Sequence, residues 1–427
     1  MDYICNDCPR RCGARRTDEK GSGVCMSPAL PRVARAAPHF GEEPCISGTH
    51  GSGAIFFTGC NLRCVFCQNH DISRGQGGRT LTVPQLRDVM LRLRDEGAHN
   101  INLVTPSHYA RQLAEALSGL ELGIRGSIAV NERMETSVPD IYAVGDAVEV
   151  THFVTGQKAL ISLAGPANKQ GRIAADNICG GNSHFHGSQG SSVLKLFGLT
   201  AASTGINEKA AHAAEIAYDK VVLFPASHAA YYPGAQSMAM KVLYEKESLR
   251  LLGAQIVGGE GVDKRIDVLA TAIRSKMKAL ELTELDLSYA PPYSSAKDPV
   301  NMAGFMIEDL ESGKVQQFHW NDVEDLPCDG SATLLDVRTE GEYRRGHLNG
   351  FRNIPLDDLR EHLDELERDK PVYVNCQTGL RSYLACRLLT QYGFTCAHLS
   401  GGYSFYQVVT QEQQTARSAY PCGMEKL

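Results

Sequence analysis

One stretch limits the fold of this chain more than any other: Val374-Asn375-Cys376-Gln377-Thr378-Gly379-Leu380-Arg381-Ser382. Before it, the apolar, β-branched run Pro371 to Asn375 reads as a buried strand. After it, Leu384, Leu388 and Leu389 give Ser382 to Thr390 helical spacing. Cys376 therefore opens a strand-to-helix loop, among backbone N–H groups at the positive end of a helix and with Arg381 close by. Both effects favour the thiolate that a nucleophilic or sulfur-carrying cysteine needs. A buried structural cysteine is the plainer alternative, but it leaves the Gly and Arg at this spacing without a packing reason.

A length of 427 residues points to about two to four domains. A net charge of -6 without a long basic run argues against nucleic acid as a partner. No apolar run approaches the ~18 residues a membrane span needs, and the polar start Met1-Asp2-Tyr3-Ile4-Cys5-Asn6-Asp7 is unlike a signal peptide, so a cytoplasmic chain is expected. Of 14 cysteines, most fall early, at positions 5, 8, 12, 25, 45, 60, 64 and 67. In a reducing compartment such clustering points to metal or redox chemistry rather than disulfides.

Residues 1–118 hold the spacing C-x3-C-x2-C at Cys60, Cys64 and Cys67, directly after the apolar run Ala54-Ile55-Phe56-Phe57. Three thiolates at the end of a strand leave one iron of a four-iron cluster open; a plain zinc site is the alternative. With Phe66 before the third cysteine, and through Glu43 to Gly48 and Asn100 to Pro106, the segment resembles the radical S-adenosylmethionine superfamily, in its pyruvate formate-lyase activating enzyme branch. The resemblance implies a 4Fe-4S cluster on Cys60, Cys64 and Cys67, with S-adenosylmethionine on the open iron. Cys5, Cys8, Cys12 and Cys25 form a second soft-ligand set, suited to zinc, a further cluster or free thiols. The expected elements are a helix over Thr82 to Glu96, a strand over Ile101 to Val104 and a helix over Tyr109 to Leu117. That is a partial radical SAM barrel, so cluster binding without radical chemistry is the expectation. Near Ser118 to Gly123 the sequence changes character, as at a fusion joint.

In residues 119–191, Thr136-Ser137-Val138-Pro139-Asp140-Ile141-Tyr142-Ala143-Val144-Gly145-Asp146 reads as a short strand delivering an aspartate after a glycine. By itself Asp146 could instead cap the next helix. The pattern is similar to the second flavin motif of pyridine nucleotide-disulfide oxidoreductases, which implies that Asp146 holds the ribityl chain of FAD. Gly165 and Pro166 open a helix whose N-terminus would face the flavin ring. Residues 192–315 alternate strands (Val193 to Phe197, Lys220 to Phe224, Met238 to Tyr244, Leu251 to Val257) with a helix over Arg265 to Leu280. This α+β pattern resembles the dimerisation domain of the same flavoproteins, most closely coenzyme A-disulfide reductases, through Ala230 to Ala235 and Ser288 to Pro299. The resemblance implies a homodimer in which Tyr231 and Tyr289 approach a redox cysteine of the partner. Packing beside proline-rich turns is the plainer reading of both tyrosines. No G-x-G-x-x-G turn and no S-x4-C-G sequence occurs. This partial FAD domain is thus expected not to reduce disulfides on its own.

Residues 316–410 run Asp336-Val337-Arg338, Gly346-His347, Asn353-Ile354-Pro355, Cys376 to Ser382 and Gly401-Gly402 through alternating strands and helices, including a helix over Leu359 to Leu366. Such alternation predicts a doubly wound parallel sheet. The order of motifs resembles the single-domain rhodanese family along the whole segment. The resemblance makes Cys376 the persulfide carrier, Arg381 a substrate or loop-organising cation, and Asp336 and Arg338 a structural or lining pair; the turn position of His347 suits a structural role. Residues 411–427 are a polar tail with Cys422 as a tail thiol. The α/β multidomain chain is therefore expected to be a rhodanese-type sulfurtransferase on a dimeric flavoprotein-derived platform. Its substrates would be thiosulfate, a persulfide or a coenzyme A-linked sulfur compound. An FAD-dependent coenzyme A-disulfide, persulfide or polysulfide oxidoreductase, a radical SAM protein and a non-catalytic scaffold in the N-terminal half are the alternatives.

Overall fold

The structure, a computed structural model, describes residues 2–8, 10–41, 44–117 and 119–417. Cys422, expected as a tail thiol, lies outside them. The chain divides into two compact units, Met1–Gly190 and Ser191–Leu427. The expected joint near residues 118–123 therefore falls inside the first unit.

In the first unit the strands Arg79–Thr80, Arg32–His39, Ser52–Phe57 and Ile101–Val104 lie side by side in that order. Ser52–Phe57 pairs in parallel with Ile101–Val104, and the helix Val83–Asp95 connects them. Thr82 starts that helix with a capping box: its hydroxyl accepts from the Gln85 N–H, and the Gln85 side chain accepts from the Thr82 N–H. Val83, Leu86, Met90 and Leu93 then pack with Ile55 and Phe57 in one core cluster. The expected partial barrel stops there. The other edge of Ser52–Phe57 is taken by Arg32–His39, which runs antiparallel and occupies the place a parallel neighbour would need. Residues 119–190 bury Leu120, Ile128, Met134, Val148, Val150 and Phe185 beside the helix Ala164–Ile178. The strand expected before Asp146 is reduced to one bridge, Glu135 to Tyr142.

The second unit holds two sheets. The first is antiparallel throughout, in the order Tyr218–Leu223, Met238–Glu245, Leu251–Gly258, Leu199–Gly205, Ser192–Leu196. Helices Val262–Arg274 and Pro299–Glu311 accompany it. The first of these ends sooner than its apolar spacing suggests, because Lys276 takes a left-handed conformation. The second begins at Asp298, whose side chain accepts from the Val300 N–H, with Pro299 in the first turn.

The other sheet is parallel at every pairing, in the order Gln317–Phe318, Cys396–Leu399, Val372–Asn375, Thr333–Asp336, Arg352–Asn353. It matches the doubly wound expectation. Leu359, Leu363 and Leu366 are buried as their spacing implies, but no α-helix forms there. The backbone bonds run from i to i+3, as from His362 N–H to Leu359 O, so the segment is a chain of tight turns. The two sheets meet where the Val222 N–H donates to Ser400 Oγ (3.2 Å) and Gln317 Nε2 donates to Lys220 O (2.8 Å). Among the described residues no helix is long and apolar enough to cross a membrane.

Candidate functional site: the Cys376 loop

Cys376 follows the central strand Val372–Asn375, and the helix Leu380–Gln391 begins four residues later. The turn between them closes because Gly379 adopts φ +99°, a conformation that side chains other than hydrogen resist. In that turn the Gly379 N–H donates to Cys376 Sγ (3.2 Å), and the thiol donates to Ser382 Oγ (3.3 Å). The sulfur thus meets a backbone donor at the start of a helix, the kind of group the loop sequence implies, and the Ser382 hydroxyl, which the sequence reading did not name.

A second element supports the loop from behind. Tyr403 N–H donates to Cys376 O (2.8 Å) and Ser404 N–H to Gln377 O (2.9 Å), both from the start of the helix Gly402–Arg417. Gly402 has to be glycine: a Cβ there would lie 2.6 Å from Cys376 O and 2.8 Å from Gly379 N. Gly402 therefore lets a helix approach the loop backbone, while a Cβ on Gly401 would meet Val222 (2.8 Å) and Phe405 (2.9 Å).

Asp336 and Arg338 are both almost fully buried and make a bidentate pair (3.0 and 2.8 Å), with Asn375 Nδ2 also donating to Asp336 (3.0 Å). Arg338 then reaches Gln377 Oε1 (3.1 Å) and Gly346 O (2.8 Å) and covers the Tyr403 ring at 4.3 Å. One buried cation, already neutralised, ties strand, loop and helix together. Arg381, expected as a substrate or loop-organising cation, has a partner the sequence reading did not name. Its guanidinium is engaged bidentately by Glu342 (2.8 and 2.7 Å), and this pairing holds the Glu342 carboxyl down at about 2. His347 stacks on Tyr343 with centroids 3.8 Å apart and bonds Tyr343 O, which agrees with a structural role.

Beside the loop opens a cavity of about 200 Å³ lined by Arg338, Glu342, Arg345, Gly346, Gln377 and Tyr403. Glu342, Arg345, Gln377 and Tyr403 were not singled out from sequence. The signal existed for Glu342, which stands in the Glu342-Tyr343-Arg344-Arg345-Gly346-His347 run, but its ion pair spans 39 residues of chain.

The other expected site residues lie elsewhere. Asp146 follows Gly145, whose φ of +76° needs glycine and whose N–H donates to Gln170 Oε1 (2.7 Å). Among the described residues the Asp146 carboxylate has no hydrogen-bond partner, and burial pushes its pKa up. A half-buried acid left without a partner suits a ligand hydroxyl, so Asp146 fits the ribityl chain of FAD. Gly165 and Pro166 lie in the first turn of Ala164–Ile178, whose leading N–H groups receive no side-chain cap. Tyr231 and Tyr289 are exposed and bring their hydroxyls to 2.8 Å from each other.

The metal expectations fit less well. Among the described residues no three His, Cys, Asp or Glu side chains converge as metal ligands would. Cys60 is buried and accepts from the Leu62 N–H (3.4 Å), whereas Cys64 and Cys67 are partly exposed on a turn closed by Cys67 N–H to Cys64 O. The three sulfurs are thus not grouped as the spacing led one to expect for a four-iron cluster, and nothing among the described residues supports the cluster. Cys5, Cys8 and Cys25 are buried and Cys12 is exposed. The buried Arg16 donates to Cys25 Sγ (3.2 Å).

Fold and loop together define a rhodanese-type domain, carried next to an antiparallel sheet domain. Family models agree: pyridine nucleotide-disulphide oxidoreductase over residues 108–171, the dimerisation domain of the same enzymes over 192–299, and the rhodanese-like domain over 319–407. The chain thus carries pyridine nucleotide-disulfide oxidoreductase domains of coenzyme A-disulfide reductase-like type, followed by a rhodanese domain. It is similar to the coenzyme A disulfide reductase of Staphylococcus haemolyticus, 39% identical over 194 residues, which are 45% of this chain and 44% of that protein. Among solved structures it resembles reduced CoADR-RHD of Bacillus anthracis (44% identity, TM-score 0.67, 73% of this chain and 56% of that one). It also resembles an NAD-dependent persulfide reductase from A. fulgidus (40% identity, TM-score 0.64, 72% and 56%). The chain spans about half the length of these relatives, and the family models match from residue 108 onward. No radical SAM family is among these matches.

Proposed function

We propose that this chain is a coenzyme A-disulfide or persulfide reductase-like flavoprotein unit whose rhodanese domain carries sulfane sulfur on Cys376. The observation that supports it most is the Gly379 N–H and Ser382 hydroxyl gathered on Cys376 Sγ by a loop fixed from three sides. In the proposed step the Cys376 thiolate attacks the outer sulfur of thiosulfate or an organic persulfide. One S–S bond forms to Sγ, the donor's S–S bond breaks, and sulfite or a thiolate leaves with the electron pair. A second thiolate, or cyanide, then takes the outer sulfur and restores the Cys376 thiolate. The Gly379 N–H stabilises the charge that passes through the loop.

On the flavoprotein side, Asp146 would hold the ribityl chain of FAD and the start of Ala164–Ile178 would face its ring. FAD, when bound, supplies two-electron transfer. A homodimer is part of the same reading: Val193, Leu194, Leu196, Phe197 and Leu199 leave an edge hairpin of the dimerisation sheet apolar and exposed, which a second copy would cover. The Tyr231–Tyr289 pair would then serve a thiol brought by the partner.

Sulfur transfer from thiosulfate to cyanide tests the central step. The wild type is expected to form thiocyanate and Cys376→Ser to form none above background; undiminished formation by the variant contradicts the proposal.

A further inference from the structure

The mouth of the Cys376 site is surrounded by arginines, and their pairing is uneven. Arg338 is buried against Asp336, and its remaining nitrogen donors go to Gln377 and to Gly346 O. Arg381, the cation inside the loop itself, is claimed on both terminal nitrogens by Glu342. Arg344, one turn away, pairs with Glu340. Each of these guanidinium groups already faces a carboxylate, so none offers an incoming anion a net positive charge at close range.

Arg345 differs. It lines the same cavity beside Gly346 and Gln377, its side chain is exposed, and among the described residues it makes no ion pair or side-chain hydrogen bond. The cavity of about 200 Å³ has room for a donor larger than thiosulfate, and Gln377, the residue after Cys376, is among the residues that line it. A donor whose anionic group stands some atoms away from its sulfane sulfur can place sulfur at Cys376 and charge at Arg345. A dianion with charge directly on the sulfur pair would meet only neutralised arginines.

Building on the sulfur-transfer reading above, we propose that Arg345 is the specificity-determining cation of the site. It binds the remote anionic group of an organic persulfide through its free guanidinium fork, while Arg381 positions the loop through Glu342. The expected donor class is a persulfide bearing a carboxylate or phosphate on its organic part.

The test compares glutathione persulfide, whose organic part carries carboxylates, with the persulfide of 2-mercaptoethanol, whose organic part carries no charge, on wild type, Arg345→Gln and Arg345→Lys. Loss of one charge-assisted contact should raise the ratio of KM for the glutathione donor to KM for the 2-mercaptoethanol donor about tenfold in Arg345→Gln. Arg345→Lys should restore part of the ratio, since it keeps the charge but not the fork. An unchanged ratio in Arg345→Gln, or an equal loss with both donors, overturns the inference while leaving sulfur transfer standing. A wild type that takes sulfur from neither donor overturns the sulfur-transfer reading, and this inference with it.

Discussion

The pairing of Glu342 with Arg381 links charge, loop shape and acidity at the level of single residues. Glu342 sits at about 2, below its ordinary 4.5, chiefly because it accepts hydrogen bonds from Arg381. A carboxyl whose folded value is depressed stabilises the fold fully above its unfolded value and loses that contribution as pH falls towards the folded one. The difference in melting temperature between wild type and Glu342→Gln should therefore be constant above about pH 4.5 and shrink between 4.5 and about 2. A difference that stays the same through that window contradicts the ion pair. The pair is partly exposed, so its effect on stability should be modest. Its larger consequence is to occupy Arg381.

At the scale of elements, the sulfur site depends on three pieces meeting: the strand Val372–Asn375, the helix Leu380–Gln391, and the start of Gly402–Arg417. The first two were legible because strand, loop and helix follow each other in sequence and their side-chain periods are local. The third was legible only as a glycine pair, since the reason for Gly402 is a backbone approach across some 25 residues of chain. Leu359, Leu363 and Leu366 show the limit of reading periodicity: the same spacing that builds a helix is met here by i to i+3 turns that bury the same leucines. The cysteine spacing at Cys60, Cys64 and Cys67 shows another limit. Spacing sets which ligands can meet, while the turn at Cys64 to Cys67 and the burial of Cys60 decide whether they do. The dimerisation sheet and the Asp146 segment carry the flavoprotein half of the proposal, and one experiment addresses both. Protein reconstituted with FAD should sediment as a dimer and keep flavin absorbance after desalting. A monomer removes the dimer half of the proposal, and loss of the flavin removes Asp146 as a cofactor ligand.

On the scale of the whole molecule, the chain has two compact units, and the rhodanese sheet belongs to the same one as the dimerisation sheet. The Val222 to Ser400 and Gln317 to Lys220 bonds join those sheets next to Gly401, where Val222 also packs closely. A dimer built through the first sheet would carry two sulfur loops fixed to one platform. All of this rests on Cys376 accepting sulfur, and that is most directly measured by mass spectrometry of the alkylated protein after anaerobic exposure to thiosulfate or glutathione persulfide. The account predicts one added sulfur atom on the peptide containing Cys376 and none there in Cys376→Ser. An unmodified Cys376 in the wild type, or added sulfur found only on other cysteines, would contradict it.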